Sequence, residues 1–558
     1  MPRVPRDIGD DQFGDSQMMA PVHGRADDAR GVVVRLAMAA GFVGLLLASF
    51  LTAWTGKGSM LVGAMLAVLG VILVIRRPAI GVFVLLTTFL FTYPAALRGI
   101  GNLTINNVLG LLLIPMMGYE MLRDRSWWVL RFKPFLLSGI VVGSMIMSGV
   151  FYTGANEYVE AQAAAKVEAS QRSQGPALFA TRDAAAKFLT RFVFLVLFVF
   201  FIRTKRDLNS VVAILVAALL FTYFSVSTGE GQFGWGTGRL RALSDAGGAI
   251  YAGRNPNKLA YFALLVLTLL WYGRRTIKNP VWYPLWGVVT LFTFAMIPLT
   301  GSRSGMLNLL MFMVIVMLEG KFNYRKLIGI AAVSFAIVVQ FAYQTSVLDL
   351  LLPSQTAERL GKLGVSSEVI EEEGFQASGS AGGRFRTAQS AARVWFHYPL
   401  FGVGIGNFES ERAVMDPFGV VGPPHNSYLW ALAEGGIFVF ALYMWLFAWT
   451  IRRIEDIRWE YEARYGPMQL GWLISAMRTV LFGFLFFSFF ADMWYHDFFY
   501  IIMGMSLALI RLHEYYAETG QVPQSFAIGG PTTPRRGPTT ANVRRAVVVA
   551  PPASFSNS

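Results

Sequence analysis

The chain has 558 residues, of which 54% are hydrophobic and only 15% charged, and its mean hydropathy is +0.49. Soluble domains carry about 25% charged residues, so this composition excludes a soluble multidomain enzyme, and equally a disordered or fibrous chain. There is no cysteine, which excludes disulfide frameworks, thiolate metal sites and cysteine nucleophiles, and a net charge of +14 in so apolar a chain points to basic membrane-flanking loops and anionic ligands rather than to nucleic acid.

Residues 1–34 are polar and charged and read as a cytoplasmic tail. Runs of about 17–25 apolar residues are long enough to cross a bilayer. Such runs occur at about 35–54, 59–75, 79–93, 105–122, 134–151, 187–202, 208–225, 257–273, 281–299, 304–319 and 326–344, and then at 426–451, 471–490 and 495–511. The pattern predicts an all-α polytopic membrane protein of about 14 transmembrane helices: spans 1–11 within 35–344, a large loop at 345–425, and spans 12–14 within 426–511. No clear cleavage site follows the first span, so it is expected to be retained. Residues 512–558 read as a disordered cytoplasmic tail, rich in Pro, Thr and Arg towards the end.

Alternate short loops are basic: Arg76-Arg77, Arg123 to Lys133, Arg203 to Arg206, Arg274-Arg275, Lys321 to Lys326 and Arg452-Arg453. The other short connections carry little charge. This asymmetry predicts both termini in the cytoplasm. Segments 153–186, 226–256 and 345–425 then face outward. The first contains a candidate surface helix, Ala161 to Arg172. The third holds an acidic run, Glu371 to Glu373, and a predicted helix from Arg384 to about His397.

Several catalytic signatures are missing: the GxxxxGK[ST] phosphate loop, the GxSxG elbow, HExxH, and an Asp-x-Asp pair for a sugar-nucleotide metal. Chemistry must come from scattered groups converging on the outer face. Arg254 lies in Gly-Arg-Asn-Pro-Asn, Arg303 in Gly-Ser-Arg-Ser-Gly, Arg384 in Gly-Gly-Arg, and His425 in Pro-Pro-His-Asn-Ser-Tyr-Leu. The predicted topology puts all four on one side. Arg303 sits in a very short turn between apolar runs, where a charge is expensive and suggests function. Its guanidinium matches phosphate oxygens in a fork; the other reading is an arginine that snorkels to the interface. His425 could be a capping or packing residue, or a general base. Glu434 falls on nearly the opposite helix face from His425 and reads as a hydrogen-bonded structural group. Asp492, His496 and Asp497 read first as a solvated turn, with a place in the same cavity as the alternative.

In order, Arg254-Asn255-Pro256-Asn257-Lys258-Leu259-Ala260, Thr300 to Gly305, Gly383-Arg384, His397 to Phe408, and His425 to Leu429 followed by Glu434-Gly435-Gly436 resemble the O-antigen ligase and O-antigen polymerase superfamily of bacterial polysaccharide assembly. The resemblance covers about 250–450. It implies a GT-C-like membrane glycosyltransferase of the bacterial inner membrane, with the 345–425 loop periplasmic and catalytic. The donor would be an undecaprenyl-diphosphate-linked oligosaccharide, and the transfer inverting, with no metal and no cofactor. His425, Arg303 and Arg384 would be catalytic. Arg254, Arg303, Arg384, Asn426 and Tyr428 would bind diphosphate or glycan. The acceptor would be a second lipid-linked repeat unit in a polymerase, towards which the span count leans, or lipid A-core or another terminal acceptor in a ligase. Membrane lipid and a chain-length regulator or other polysaccharide assembly proteins would be partners; nucleic acid would not. A transporter or flippase with an arginine-lined cavity is the reading from another class.

Overall fold

The computed structural model describes residues 69–90, 105–123, 132–154, 177–227, 233–234, 239–240, 255–277, 279–300, 302–318, 381–415, 423–465, 470–494 and 496–519. Arg254, the apolar runs at 35–54 and 326–344, most of that at 59–75, the segments Ala161–Arg172 and Glu371–Glu373, and the tails up to 34 and beyond 519 lie outside the described residues.

The described chain is helical apart from a two-residue antiparallel pair, β1 (Phe233–Gly234) and β2 (Arg239–Leu240). Its first helices are α1 (Pro78–Leu90), α2 (Ile105–Arg123), α3 (Lys133–Gly154), α4 (Ala177–Phe201) and α5 (Lys205–Ser227). Then follow α6 (Pro256–Gly273), α7 (Tyr283–Leu299), α8 (Arg303–Leu318), α9 (Ala381–His397) and α10 (Phe408–Met415). The last three are α11 (Ser427–Tyr465), α12 (Gly471–Ser488) and α13 (Asp497–Thr519).

Apolar helices α1–α8 and α11–α13 fall on the predicted spans. Among the described residues five helical stretches are long and apolar enough to cross a membrane, or six if Leu69–Arg76 and α1, bent by 119°, make one broken span. The expected count of about fourteen crossings is not confirmed among the described residues: three of the runs lie wholly or mostly outside them, and α1 has 13 residues and α8 has 16, below the roughly 20 that a bilayer asks for. α13 also continues to Thr519 instead of ending near 511, since Leu512 and His513 are buried and hold its last turns against the bundle.

The core lies along α6 and α13. From Leu259 to Leu270 every α6 residue is buried, and so is every residue of α13 from Phe498 to Ile510. A helix that is apolar all round must be enclosed by others. α6 packs on α5, α7, α8 and α12, and α13 on α4, α11 and α12. α6, α11 and α13 all begin at one end of the bundle. At the opposite end Arg453, in the later turns of α11, lies 3.5 Å from Glu514 in those of α13, and the basic residues Arg274 and Arg275 follow α6.

α11 is broken. Gly436 has φ 64° and ψ −173°, which interrupts the helical hydrogen bonds. The loop between α9 and α10 fills the gap. Val403 and Gly404 donate to the carbonyls of Ala433 and Glu434 at 2.9 and 2.8 Å, and Ile437 donates to Pro399 at 2.9 Å. Irregular backbone is tolerated inside a membrane protein only where such partners are supplied. The approach demands glycine. A Cβ on Gly404, whose φ is +81°, would lie 2.1 Å from Gly149 Cα of α3, and one on Gly436 would lie 2.2 Å from the Leu400 carbonyl oxygen.

Candidate active site

The beginnings of α6, α8, α11 and α13 come together through named contacts. Asn255 caps α6, its side-chain oxygen accepting from Asn257 and Lys258 backbone N–H groups at 2.9 and 3.4 Å. Ser302 caps α8 by accepting from Gly305 N–H at 3.0 Å, and its hydroxyl donates to Asn257 Oδ1 at 2.7 Å. This bond ties the turn that carries Arg303 to the first turn of α6. Gly305 deepens the contact, because a Cβ there would lie 2.4 Å from Ala260 Cβ. Arg303 is the first residue of α8 and is half-buried.

His425 lies just before α11, with φ 52°. Left-handed backbone is uncommon for a residue with a Cβ, though histidine is among those that tolerate it, and such outliers gather at functional sites. Pro423 and Pro424 fix the approach of the chain. His425 Nδ1 lies 2.9 Å from Asp492 Oδ2, in side chains 22% and 11% exposed. Asp492 is therefore no solvated turn residue: it faces the histidine. Ser427 holds the two segments in register. Its hydroxyl donates to the Ala491 carbonyl at 2.6 Å and accepts from Met493 N–H at 2.7 Å, bracketing Asp492 on both sides.

The surroundings are strongly charged. The charge of Asp492 acts on Lys258 of α6 and on Glu409 of α10, and Lys258 also feels Asp497 and Arg191. Burial raises the Glu409 carboxyl above the usual range, Arg412 opposes the rise and Asp492 adds to it. Asp497, at the start of α13, accepts from Arg191 Nε of α4. His496 is buried beside it. The last outward turn, expected first to be solvated, thus forms one wall of this site.

The remaining candidates take different places. Asn426 Oδ1 accepts from Tyr428 and Leu429 N–H at 3.0 and 3.1 Å, which makes it the cap of α11. The Tyr428 hydroxyl donates to the Leu485 carbonyl at 2.6 Å, and its ring packs on Phe489. In this arrangement both side chains serve the fold. Arg384 sits in the first turn of α9, which packs on α10 and α11. Glu434 accepts from Gly406 N–H at 3.1 Å and so pins the loop that fills the break in α11. Among the described residues no group of three His, Asp or Glu side chains could hold a metal ion.

Chemically, a proton on His425 Nδ1 faces the Asp492 carboxylate, which leaves Nε2 as the acceptor. Helix N-termini carry partial positive charge, and several of them beside Arg303, Lys258 and Arg191 suit a phosphate-bearing ligand. Comparison with curated proteins gives no match. Residues 288–444 match the family model described as O-antigen ligase. That stretch carries Arg303, Arg384, His425 and the loop seated in α11, while Asp492 lies beyond it. The chain is a multi-pass membrane protein whose residues 288–444 are similar to the O-antigen ligase family.

Proposed function

We propose that the protein is an inverting glycosyltransferase of the bacterial inner membrane. It moves a glycan from undecaprenyl diphosphate to an acceptor hydroxyl at the periplasmic face. The observation that carries this reading is the His425–Asp492 contact of 2.9 Å beside the clustered starts of α6, α8 and α13. The superfamily supports a lipid-linked donor and a glycan or lipid acceptor in general terms. The basic loops at the opposite end of the bundle support the periplasmic placement of the site.

In this mechanism His425 Nε2 takes the proton of the acceptor hydroxyl as its oxygen bonds to the anomeric carbon. The bond from that carbon to the diphosphate breaks on the opposite face, which inverts the centre. The electron pair leaves with the lipid diphosphate. Asp492 holds the imidazolium that forms. Arg303 and Arg384, joined by Arg254, meet the charge growing on the leaving group, which is where electrostatic stabilisation is largest. The guanidinium groups take the part that a metal plays elsewhere, so no metal is needed. The leaving group is already activated, so no ATP is needed.

Purified protein in liposomes, supplied with lipid-linked repeat units, should release lipid diphosphate and make glycosidic bonds, with EDTA without effect. Lengthening of the repeat unit would identify a polymerase, the reading we favour. Transfer only to a terminal acceptor such as lipid A-core would identify a ligase. Movement of donor across the bilayer without any new glycosidic bond, with acceptors supplied, would refute the enzyme and identify a transporter.

A further inference from the structure

Helix α9 has three distinct stripes. Thr387, Ser390, Ala391 and Val394 are buried, and Ala391 and Val394 pack with Val403, Phe408 and Ala433. Facing away from them, at spacings of three, four and four residues, run Phe385, Ala388, Ala392 and Phe396. Phe385 and Phe396 are each 71% exposed. About 90° further round the helix, at roughly 100° per residue, lie the exposed Arg386, Arg393 and His397. A phenylalanine stripe flanked by a basic stripe is the pattern of a helix lying in a membrane interface, with rings among acyl chains and cations among lipid phosphates.

The apolar stripe does not end with the helix. It continues through Leu400, 52% exposed, and Phe401, 61% exposed. The Phe401 ring packs on Phe438 of α11 at 5.5 Å between centroids. Phe438 is itself 53% exposed, on a stretch long and apolar enough to cross the bilayer. Exposed apolar surface on α11 therefore meets that of the loop at Phe401, four residues after α9 ends.

We infer that α9 and residues 398–401 form an in-plane membrane element, its Phe385–Phe396 stripe covered by the lipid leaflet that borders the site. An upright α9 would instead lift Phe385 about 16 Å beyond Phe396, at 1.5 Å per residue, and leave it in water. Seated in the leaflet, α9 holds Arg384 in its first turn at the depth of lipid phosphates. This consequence rests on the donor reading above: the diphosphate of a lipid-linked glycan would meet Arg384 without leaving the headgroup layer.

The chain has no cysteine, so one introduced thiol is the sole labelling site. Nitroxide labels go on Phe385→Cys, Phe396→Cys and Phe401→Cys, with Phe438→Cys as the lipid-facing reference, in phosphatidylethanolamine–phosphatidylglycerol vesicles. All four side chains are at the surface, so folding is not at stake. Molecular oxygen should relax the labels at 385, 396 and 401 as strongly as that at 438, and a water-soluble nickel complex should reach them at least tenfold less well than a label at Arg393→Cys. A water-exposed label at 385 with a lipid-exposed label at 396 would mean an upright helix and overturn the proposal. Shielding of 385 and 396 from both relaxants would mean a protein cover and also overturn it. The measurement needs no turnover, so labels in lipid together with a fully active Arg384→Ala would leave the in-plane helix standing and remove only the diphosphate consequence.

Discussion

Where α11 and α13 end, arginines meet carboxylates near the surface: Arg453 with Glu514 at 3.5 Å, and Arg478 with Glu455 at 3.1 Å. In two further pairs a half-exposed arginine reaches a buried carboxylate: Arg203 with Glu120 at 2.8 Å and Arg77 with Asp207 at 3.0 Å. Where α11 and α13 begin, the charged groups crowd together instead. Asp492 faces a histidine in a left-handed backbone, Asp497 accepts from Arg191, and Lys258 and Glu409 stand within reach of Asp492. Exposed ion pairs contribute little, because water screens them and ordering two long side chains costs entropy. Buried charges are costly unless something repays them. In the proposed reading the basic end records how the chain sits in the membrane, whereas the other end is arranged for chemistry.

That contrast can be broken by substitution, and the largest effect should come at His425. His425→Asn tolerates the left-handed backbone, so folding should hold while transfer falls by about 10²–10⁴-fold, the usual contribution of a general base. Turnover of lipid-linked glycan alongside thermal melting separates the two. Loss of stability with little loss of turnover per folded molecule would make the histidine a packing residue. Next comes Gly404→Ala, which forces a Cβ onto the α3 backbone. It should destabilise by roughly 3 kcal/mol or more and lower the amount of folded protein in the membrane; a normal yield and melting temperature would refute the glycine-lined fit in α11.

Ser427→Ala is a subtler probe. It removes the hydroxyl that registers Asp492 on His425, so turnover should fall about tenfold, with a stability loss of about 1–3 kcal/mol for buried groups left unsatisfied. Ser427→Thr, which keeps the hydroxyl, should recover most of the rate. Equal losses in both variants would point to crowding rather than register. The smallest effect belongs to the opposite end: Arg453→Gln should change stability by less than about 0.5 kcal/mol and leave turnover unaltered. A large loss of turnover there would erase the distinction between the two ends.

Much of this was legible in the sequence. The apolar runs gave the helices, Gly-Gly-Arg marked the start of a helix that runs Ala381–His397, and the heptapeptide around His425 marked the start of α11. Glu434, expected to be a hydrogen-bonded structural group, holds Gly406 N–H. Long-range pairing was not legible. Asp492 meets His425, and Ser427 meets Ala491 and Met493, across 60 or more residues of chain, and an aspartate in a turn has no local signature that says what it faces. The break in α11 was also missed, although Gly402, Gly404 and Gly406 at alternate positions with Gly435-Gly436 gave a signal that several backbone segments approach closely. Asn426 and Tyr428 stood out by motif, but motifs cannot distinguish a cap or a packed ring from a ligand group.

The central claim is that His425 and Asp492 act as one unit on a hydroxyl proton, and a double-mutant cycle tests it most directly. Turnover of lipid-linked glycan would be measured for His425→Ala, Asp492→Asn and the double variant, all purified and shown to be folded. If the carboxylate works through the imidazole, Asp492→Asn should be slow on its own, yet add almost nothing once the histidine is gone. Losses that multiply in the double variant, as for two independent residues, would contradict the account.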